Sequence, residues 1–172
     1  MPRKRPPKAA QSTVNAAAGI FTPIGKKLRK SKRPAGATGP GQVKPLDVGP
    51  YSDLKKREKV GDNLEHDHIP SSAALKKAKE KQLGRKLTPQ EARDLHQQGT
   101  AIEVPKEVHA KGDTFRGKNT PDRIDADAAD LGAAAKRDYA TTRQNLIDHG
   151  YAPKDVDAAL DRMRDANRRK GI

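Results

Sequence analysis

The segment spanning residues 64–70 restricts the local fold more strongly than any other part of the chain. Apolar and polar side chains alternate from Leu64 to Ile69, which is typical of a half-buried β-strand. The strand should end at Pro70, because proline has no N–H group to donate to a neighbouring strand. The segment also contains two carboxylates and two imidazoles, the groups that bind divalent metal ions and act as general bases. The sequence therefore predicts a strand that carries a chemical site at its end.

The four polar residues of this strand should divide between its two faces. On a regular strand, Glu65 and Asp67 point one way, and His66 and His68 point the other. A twist or bulge near the end of the strand would bring Asp67 and His68 to one site, and bulges are frequent next to active sites. We expect such an irregularity here, with Asp67, His68 and a distant third imidazole, His109, meeting around one cation.

Helix start signals predict two helices after this strand. Ser71 and Ser72 supply an N-cap for the first helix. Thr88 and Glu91 have the spacing of a capping box, with a proline at the first helical position between them. The second helix should stop at Gly99.

The part of the chain that follows is expected to hold a second strand and more helices. The strand should cover residues 101–104 and end at Pro105, which also opens a helical turn that carries His109. Two longer helices are expected over residues 126–148 and from Pro153 onward. Three acidic residues near the start of the first of these should face solvent as partners of the helix dipole: Asp125, Asp127 and Asp130.

Composition limits the size of the core and indicates an anionic partner. Only 33% of the residues are hydrophobic, and there is no tryptophan. The formal net charge is +14, which favours nucleic acid as a partner, with a membrane surface second. Residues 1–48 hold 11 of the Lys and Arg residues and a single acid, so they should form a disordered basic tail rich in Pro and Gly. Residues 49–172 are expected to form the folded domain.

Two further features exclude whole classes of protein. Because cysteine is absent, the chain has no disulfide, no thiolate metal site and no cysteine nucleophile. No apolar stretch approaches the roughly 20 residues that a membrane-spanning helix needs. We therefore expect no membrane insertion, and we expect no signal peptide because no apolar run follows the basic N-terminus.

The order of motifs resembles a family of nucleases. A strand that ends in Asp67-His68-Ile69-Pro70, then a strand at residues 102–104, and then a helix that carries His109 are similar to the His-Me finger (ββα-metal, HNH-like) nucleases. The variant it resembles most lies at the C-terminal ends of Rhs and other polymorphic bacterial toxins. The lead-in at residues 49–54 and the segments at residues 99–102 and 109–114 also fit this variant. The resemblance covers about residues 49–120, and the insertion at residues 76–98 is longer than a simple finger needs.

The resemblance implies a fold and a set of roles. The fold would be α+β, with a small ββα-metal finger embedded in a mainly helical domain. His68 would be the general base that activates water, and Asp67 and His109 would bind one divalent metal ion. Asp67 stands where this variant has a histidine, which favours Mg²⁺, with Zn²⁺, Mn²⁺ or Ni²⁺ as alternatives. The residues expected to contact substrate or to support the site are His66, Glu65, Thr114, Arg116, Lys118 and Asn119.

The function expected from these features is metal-dependent endonuclease activity, with DNA favoured and RNA as the alternative substrate. By resemblance, the chain would be an antibacterial effector, such as a cargo of type VI secretion, delivered to the cytoplasm of a target bacterium. Its cognate immunity protein would be acidic to match the charge of the toxin, and no oligomer is expected. A non-enzymatic basic protein that binds nucleic acid, and an adaptor that docks through residues 1–48, remain open alternatives.

Overall fold

The structure is a computed structural model that describes residues 41–172. A three-stranded antiparallel sheet lies among α-helices, so the α+β class is confirmed, whereas a ββα-metal finger stays a prediction. The strands are β1 (Val48–Pro50), β2 (Leu64–His68) and β3 (Thr100–Pro105). The helices are α1 (Tyr51–Lys55), α2 (Ser72–Leu83), α3 (Pro89–Gln98), α4 (Lys106–Lys111), α5 (Pro121–Ala129), α6 (Leu131–Asp148) and α7 (Pro153–Arg168).

β3 is the central strand and pairs with β1 on one side and with β2 on the other. The pairing of β2 with β3 is continuous from Leu64 opposite Pro105 to His68 opposite Ala101. Because directly opposed residues share a face, Asp67 lies on the same face as its partner Ile102. The register therefore defines two faces of the sheet with different chemistry.

The two faces pack against different elements. The larger core lies between one face and helices α4, α6 and α7, and it includes Ile102, Leu146, Leu160 and Met163, all fully buried. The smaller core lies on the other face and consists of Val43, Leu54 and Ala101, with Tyr51 packed against it.

Most helix boundaries follow the capping signals of the sequence. Ser71 caps α2, and the capping box between Thr88 and Glu91 begins α3. The predicted single helix over residues 126–148 is wrong in its first part, because Asp130 separates α5 from α6 and accepts a hydrogen bond from the Ala133 N–H at 2.8 Å. Asp127, predicted to face solvent, is instead 4% exposed.

The first residues that the structure describes are attached to the sheet. Val43 is 2% exposed, and the Leu46 N–H donates to the Glu103 carbonyl at 2.8 Å. The tail was predicted to be disordered over residues 1–48; residues 1–40 lie outside the described residues, whereas residues 43–48 are ordered against the sheet. The domain boundary itself stays a prediction. Within residues 41–172, every helix is too short or too polar to cross a lipid bilayer.

Candidate active site

His109 lies between two carboxylates of β2. Its Nδ1 is 2.7 Å from Glu65 Oε2, and its Nε2 is 3.4 Å from Asp67 Oδ1. The strand places Glu65 and Asp67 on the face that α4 covers, and α4 begins directly after β3, so His109 reaches this face in its first turns. The structure thus brings together two predicted metal ligands, Asp67 and His109, with a third predicted site residue, Glu65.

The two contacts give His109 a defined orientation. Burial lowers its pKa, but hydrogen bonding and charge from Asp67 and Glu65 oppose this and leave the pKa above its ordinary value. When the ring is neutral, Nδ1–H donates to Glu65, and the lone pair of Nε2 is left on the side of Asp67. A carboxylate that holds the second nitrogen of a metal-binding histidine in this way is the usual support for such a ligand.

The donor set at this position fits a divalent cation. An ion accepts carboxylate oxygen and imidazole nitrogen at about 2.0–2.2 Å, so donors 3.4 Å apart reach one ion together. No group of three or more His, Cys, Asp or Glu side chains in residues 41–172 forms a ready-made metal site. Two protein donors suit Mg²⁺, which keeps several of its own waters and binds through one or two carboxylates.

A small cleft opens beside Asp67 and is lined by residues of three regions. Asp67 and Ile69 come from β2 and the residue that follows it, and Thr114 comes from the loop after α4. Helix α6 supplies Asp138, which is 5% exposed. Burial raises the pKa of Asp138 to about 6 against the opposing effect of Arg137. The remaining lining residues are Gly112, Asp113, Thr141 and Thr142.

His68 lies on the opposite face of the sheet. Its ring stacks on Tyr51 with centroids 4.9 Å apart and lies 4.6 Å from the ring of His96. Its Nε2 is 3.1 Å from the His96 carbonyl oxygen, and burial lowers its pKa to about 4. Because β2 pairs regularly through His68 and has no bulge, the predicted convergence of His68 with Asp67 and His109 is wrong.

His66 shares this second face and is almost completely enclosed. Its Nδ1 contacts Glu103, the residue opposite it on β3, and its Nε2 is 3.1 Å from Glu58 Oε2. Burial lowers the pKa of His66, but the two glutamates outweigh this and raise it above the ordinary value. Only 6% of the His66 side chain is exposed, which leaves it little surface for direct contact with a substrate. The buried pair of His66 and Glu103 instead supports β3.

The predicted substrate residues lie in the segment after α4. Arg116 is exposed and stacks over Phe115, whose ring packs in a T-shaped arrangement with the ring of His109, with centroids 4.9 Å apart. Lys118 is exposed, and its ammonium donates to the carbonyl of Ala110 at 3.0 Å. Both cations therefore lie close in the fold to His109, where they would meet an anionic ligand.

Asn119 connects this segment to the end of β2. Its Nδ2 donates to Ser71 Oγ at 3.3 Å, while its Oδ1 is buried with no hydrogen-bond partner among the described residues. Ser71 is the N-cap of α2, so Asn119 fixes the loop after α4 against the turn that follows the strand.

The lysine-rich stretch at residues 76–86 is partly neutralised by acidic neighbours. Lys77 and Lys81 both contact Asp125 Oδ1, at 3.1 and 3.2 Å, and Lys86 contacts Glu80 at 2.9 Å. These ion pairs offset part of the positive charge of this stretch.

Sequence reasoning missed three residues around the two histidine sites. The sequence gives no signal for the position of His96, which packs on His68 and has its Nδ1 2.9 Å from Ser72 Oγ. Gly99 leaves room for the His68 ring, and Asp138 lines the cleft with Asp67. The lead-in motif at residues 49–54 contained the one available signal, since it included Tyr51, which stacks on His68.

Comparisons with known proteins give one strong similarity. The chain is 55% identical over 130 residues, or 76% of its length, to Deoxyribonuclease CdiA of Dickeya dadantii (strain 3937). The matched part is 4% of that protein, so the chain corresponds to a small section of its relative. No protein-family model matches the chain, and no solved structure matches it either.

Proposed function

We propose that this chain is a metal-dependent endonuclease that hydrolyses phosphodiester bonds in DNA, with a His-Me finger type of site. The observation that carries the proposal is the placement of His109 Nε2 3.4 Å from Asp67 Oδ1, with Nδ1 held by Glu65. The similarity to a protein named a deoxyribonuclease supports both the activity and the choice of DNA over RNA.

Asp67 and His109 hold the ion in this proposal, and Glu65 keeps the His109 ring in the required orientation. A divalent ion held there would neutralise charge on the phosphate and on the leaving oxygen. Asp67 is 8% exposed, so its contact with an ion is shielded from bulk water and is stronger than an exposed contact would be.

His68 is proposed as the general base. Its pKa of about 4 keeps the imidazole neutral near pH 7, so one nitrogen has a lone pair that can accept a proton from water, although a base of this pKa is weaker than an ordinary imidazole. If Nε2–H donates to the His96 carbonyl, Nδ1 is the accepting atom. His68 and Asp67 are adjacent at the end of β2 but on opposite faces, so the scissile phosphate would have to lie at the strand end, between the base and the ion.

The electrostatics of the chain favour a nucleic-acid substrate. The net charge of +14 attracts a phosphate backbone, and the affinity should fall as salt rises. Arg116 and Lys118 are exposed beside the His109 site and are proposed to contact phosphates. The chain has no tryptophan and only three tyrosines and two phenylalanines. This composition favours contacts with the phosphate backbone of the nucleic acid over stacking on its bases.

The biological role proposed is that of an antibacterial effector. The toxin type that the motifs resemble is delivered to the cytoplasm of a target bacterium and is neutralised by a cognate immunity protein. For a chain of this charge, that partner should present an acidic surface.

Cleavage of supercoiled plasmid tests the proposal. The purified chain should nick and linearise plasmid in Mg²⁺, and excess EDTA should abolish cleavage. Asp67→Asn and His109→Ala should each lower the rate by at least about 100-fold, because each removes a ligand of the ion. His149→Ala is the matched control, since His149 is exposed and its nearest carboxylate is 3.9 Å away.

The alternatives make different predictions in the same assay. A non-enzymatic binding protein would shift the plasmid in a gel without cutting it, and a ribonuclease would degrade RNA and leave plasmid intact. Cleavage that persists in EDTA, or at the normal rate in His109→Ala, would contradict the metal site.

A further inference from the structure

We propose that Asp138 of α6 is an outer carboxylate of the cation site, accepting a hydrogen bond from the hydration shell of the ion bound at Asp67 and His109. This inference rests on the proposed function. It extends the site beyond residues 49–120, where the sequence motifs lie, to the C-terminal helices.

One carboxylate oxygen of Asp138 has no hydrogen-bond donor among the described residues. The residue is 5% exposed, and its Oδ1 accepts from Arg137 Nε at 3.0 Å and Nη2 at 2.7 Å. Its Oδ2 is buried and has no hydrogen-bond partner among the described residues. A buried carboxylate oxygen without a donor is costly, and a bound water or hydrated ion is the kind of partner that would satisfy it.

The carboxylate of Asp138 also lies next to the proposed ion site. Asp138 and Asp67 line the same cleft. In the described residues they do not form a three-ligand cluster with His109. A hydrated ion fits this geometry, because Mg²⁺ and Mn²⁺ keep water ligands that need acceptors, and Asp138 Oδ2 is available.

The competing explanation is that Asp138 only pairs with Arg137. A substitution at Asp127 distinguishes this structural role from a role in ion binding. Arg137 grips Asp127 with both terminal nitrogens, at 2.6 and 2.9 Å, so this pair already anchors the arginine without Asp138. Asp127 shares Arg137 with Asp138 and is equally buried, but it does not line the cleft. Asp127→Asn is therefore a control that disturbs the same arginine and spares the cleft.

The third acid of the cleft serves a different purpose. Asp113 also lines it, but Asp113 Oδ2 already accepts a hydrogen bond from Thr141 Oγ1 at 2.9 Å. Asp113→Asn should therefore affect ion binding less than Asp138→Asn, and it provides a second control within the cleft itself.

The inference is tested by titrating the metal-free protein with Mn²⁺ alone and measuring the binding affinity by isothermal titration calorimetry. Asp138→Asn should weaken Mn²⁺ binding by roughly 10-fold or more, as loss of an outer-sphere carboxylate does. Its melting temperature without metal should be unchanged or higher, because the variant removes a buried charge with an unsatisfied oxygen. Asp127→Asn should bind Mn²⁺ within about 3-fold of the parent chain, as expected for a residue outside the site.

Each other outcome overturns a defined part of the account. Unchanged Mn²⁺ affinity in Asp138→Asn overturns this inference and leaves the proposed function standing. If Asp138→Asn and Asp127→Asn lose Mn²⁺ affinity equally and both melt at lower temperatures, Asp138 acts only as a structural partner of Arg137. If the parent chain binds no Mn²⁺, both the inference and the proposed metal site fail. Should Asp138→Asn not fold, Asp138→Ser removes the same carboxylate with less bulk, and its affinity decides.

Discussion

Substitution of Gly99 by alanine should destabilise the protein mainly through one close contact, the one with the ring of His68. Gly99 has φ −56° and ψ 142°, a conformation that alanine adopts without strain. A Cβ at this position would nevertheless lie 2.7 Å from His68 Cδ2 and 3.0 Å from His68 Nε2, closer than its 3.2 Å distance from the His96 carbonyl oxygen. The cost of the substitution therefore reports on the packing of the His68 ring and not on the backbone.

The size of the effect follows from how far the ring can move. Ordinary contact between carbon atoms is at about 3.5–4.0 Å, so the His68 ring must retreat by about 1 Å. Tyr51 and His96 pack against the ring at centroid distances of 4.9 and 4.6 Å, and the His96 carbonyl is 3.1 Å from Nε2, which restricts this movement. We expect the free energy of unfolding to fall by about 1–3 kcal/mol, the usual cost of overpacking a filled site.

Urea unfolding followed by circular dichroism measures this change. Gly49→Ala is the matched control, because a Cβ there meets no atom within 4 Å, and it should alter stability by no more than about 0.5 kcal/mol. In a His68→Ala background, Gly99→Ala should lose most of its cost, because the clashing ring is gone. A Gly99→Ala chain as stable as the parent, or an equal cost in both backgrounds, would refute the packing assigned to His68.

Two other regions give predictions of their own. The Asn167 amide donates to the Ile69 carbonyl and to the Tyr139 hydroxyl, both at 2.6 Å, and is 1% exposed. Asn167→Ala should lower the free energy of unfolding by at least about 1–3 kcal/mol, because it strands a buried carbonyl; a smaller loss in urea unfolding would contradict this. Burial lowers the pKa of Lys170, which donates to the Gln98 carbonyl, from 10.5 to about 8. Because the folded state favours the neutral amine, Lys170 contributes its full stability above pH 10.5. This contribution is lost as the pH falls through about 8 and the buried amine takes up a proton. The stability of the parent chain relative to Lys170→Gln should be greater at pH 10 than at pH 7, and an equal difference at both would contradict the shift.

The sequence predicted the local structure around the site well, because the signals there are short-range. The alternation in residues 64–69 gave the strand and assigned Glu65 and Asp67 to one face and His66 and His68 to the other. The expected bulge was wrong because both faces of β2 are covered by packed elements. A shift of one residue would expose what each face buries, so the pairing stays regular.

The surroundings of the site could not be predicted, because they depend on contacts between distant parts of the chain. His96 reaches His68 only when α3 docks beside α1, and nothing in the pattern of α3 encodes that docking. Asp138 lies 71 positions after Asp67 and meets the cleft through the packing of α6. The helix break at Asp130 did leave a local signal, an aspartate three residues before Ala133, but the alanine-rich helical pattern on both sides hid it.

The state of the His109 ring during addition of Mg²⁺ tests the central claim most directly. Side-chain ¹H–¹⁵N NMR can follow the five histidines of the chain individually. We expect Mg²⁺ to shift the His109 Nε2 resonance while Nδ1 stays protonated against Glu65, and we expect Asp67→Asn to abolish the shift. If all five histidines remain unchanged at Mg²⁺ concentrations that support plasmid cleavage, or if His68 responds and His109 does not, the ion is not held where this account places it.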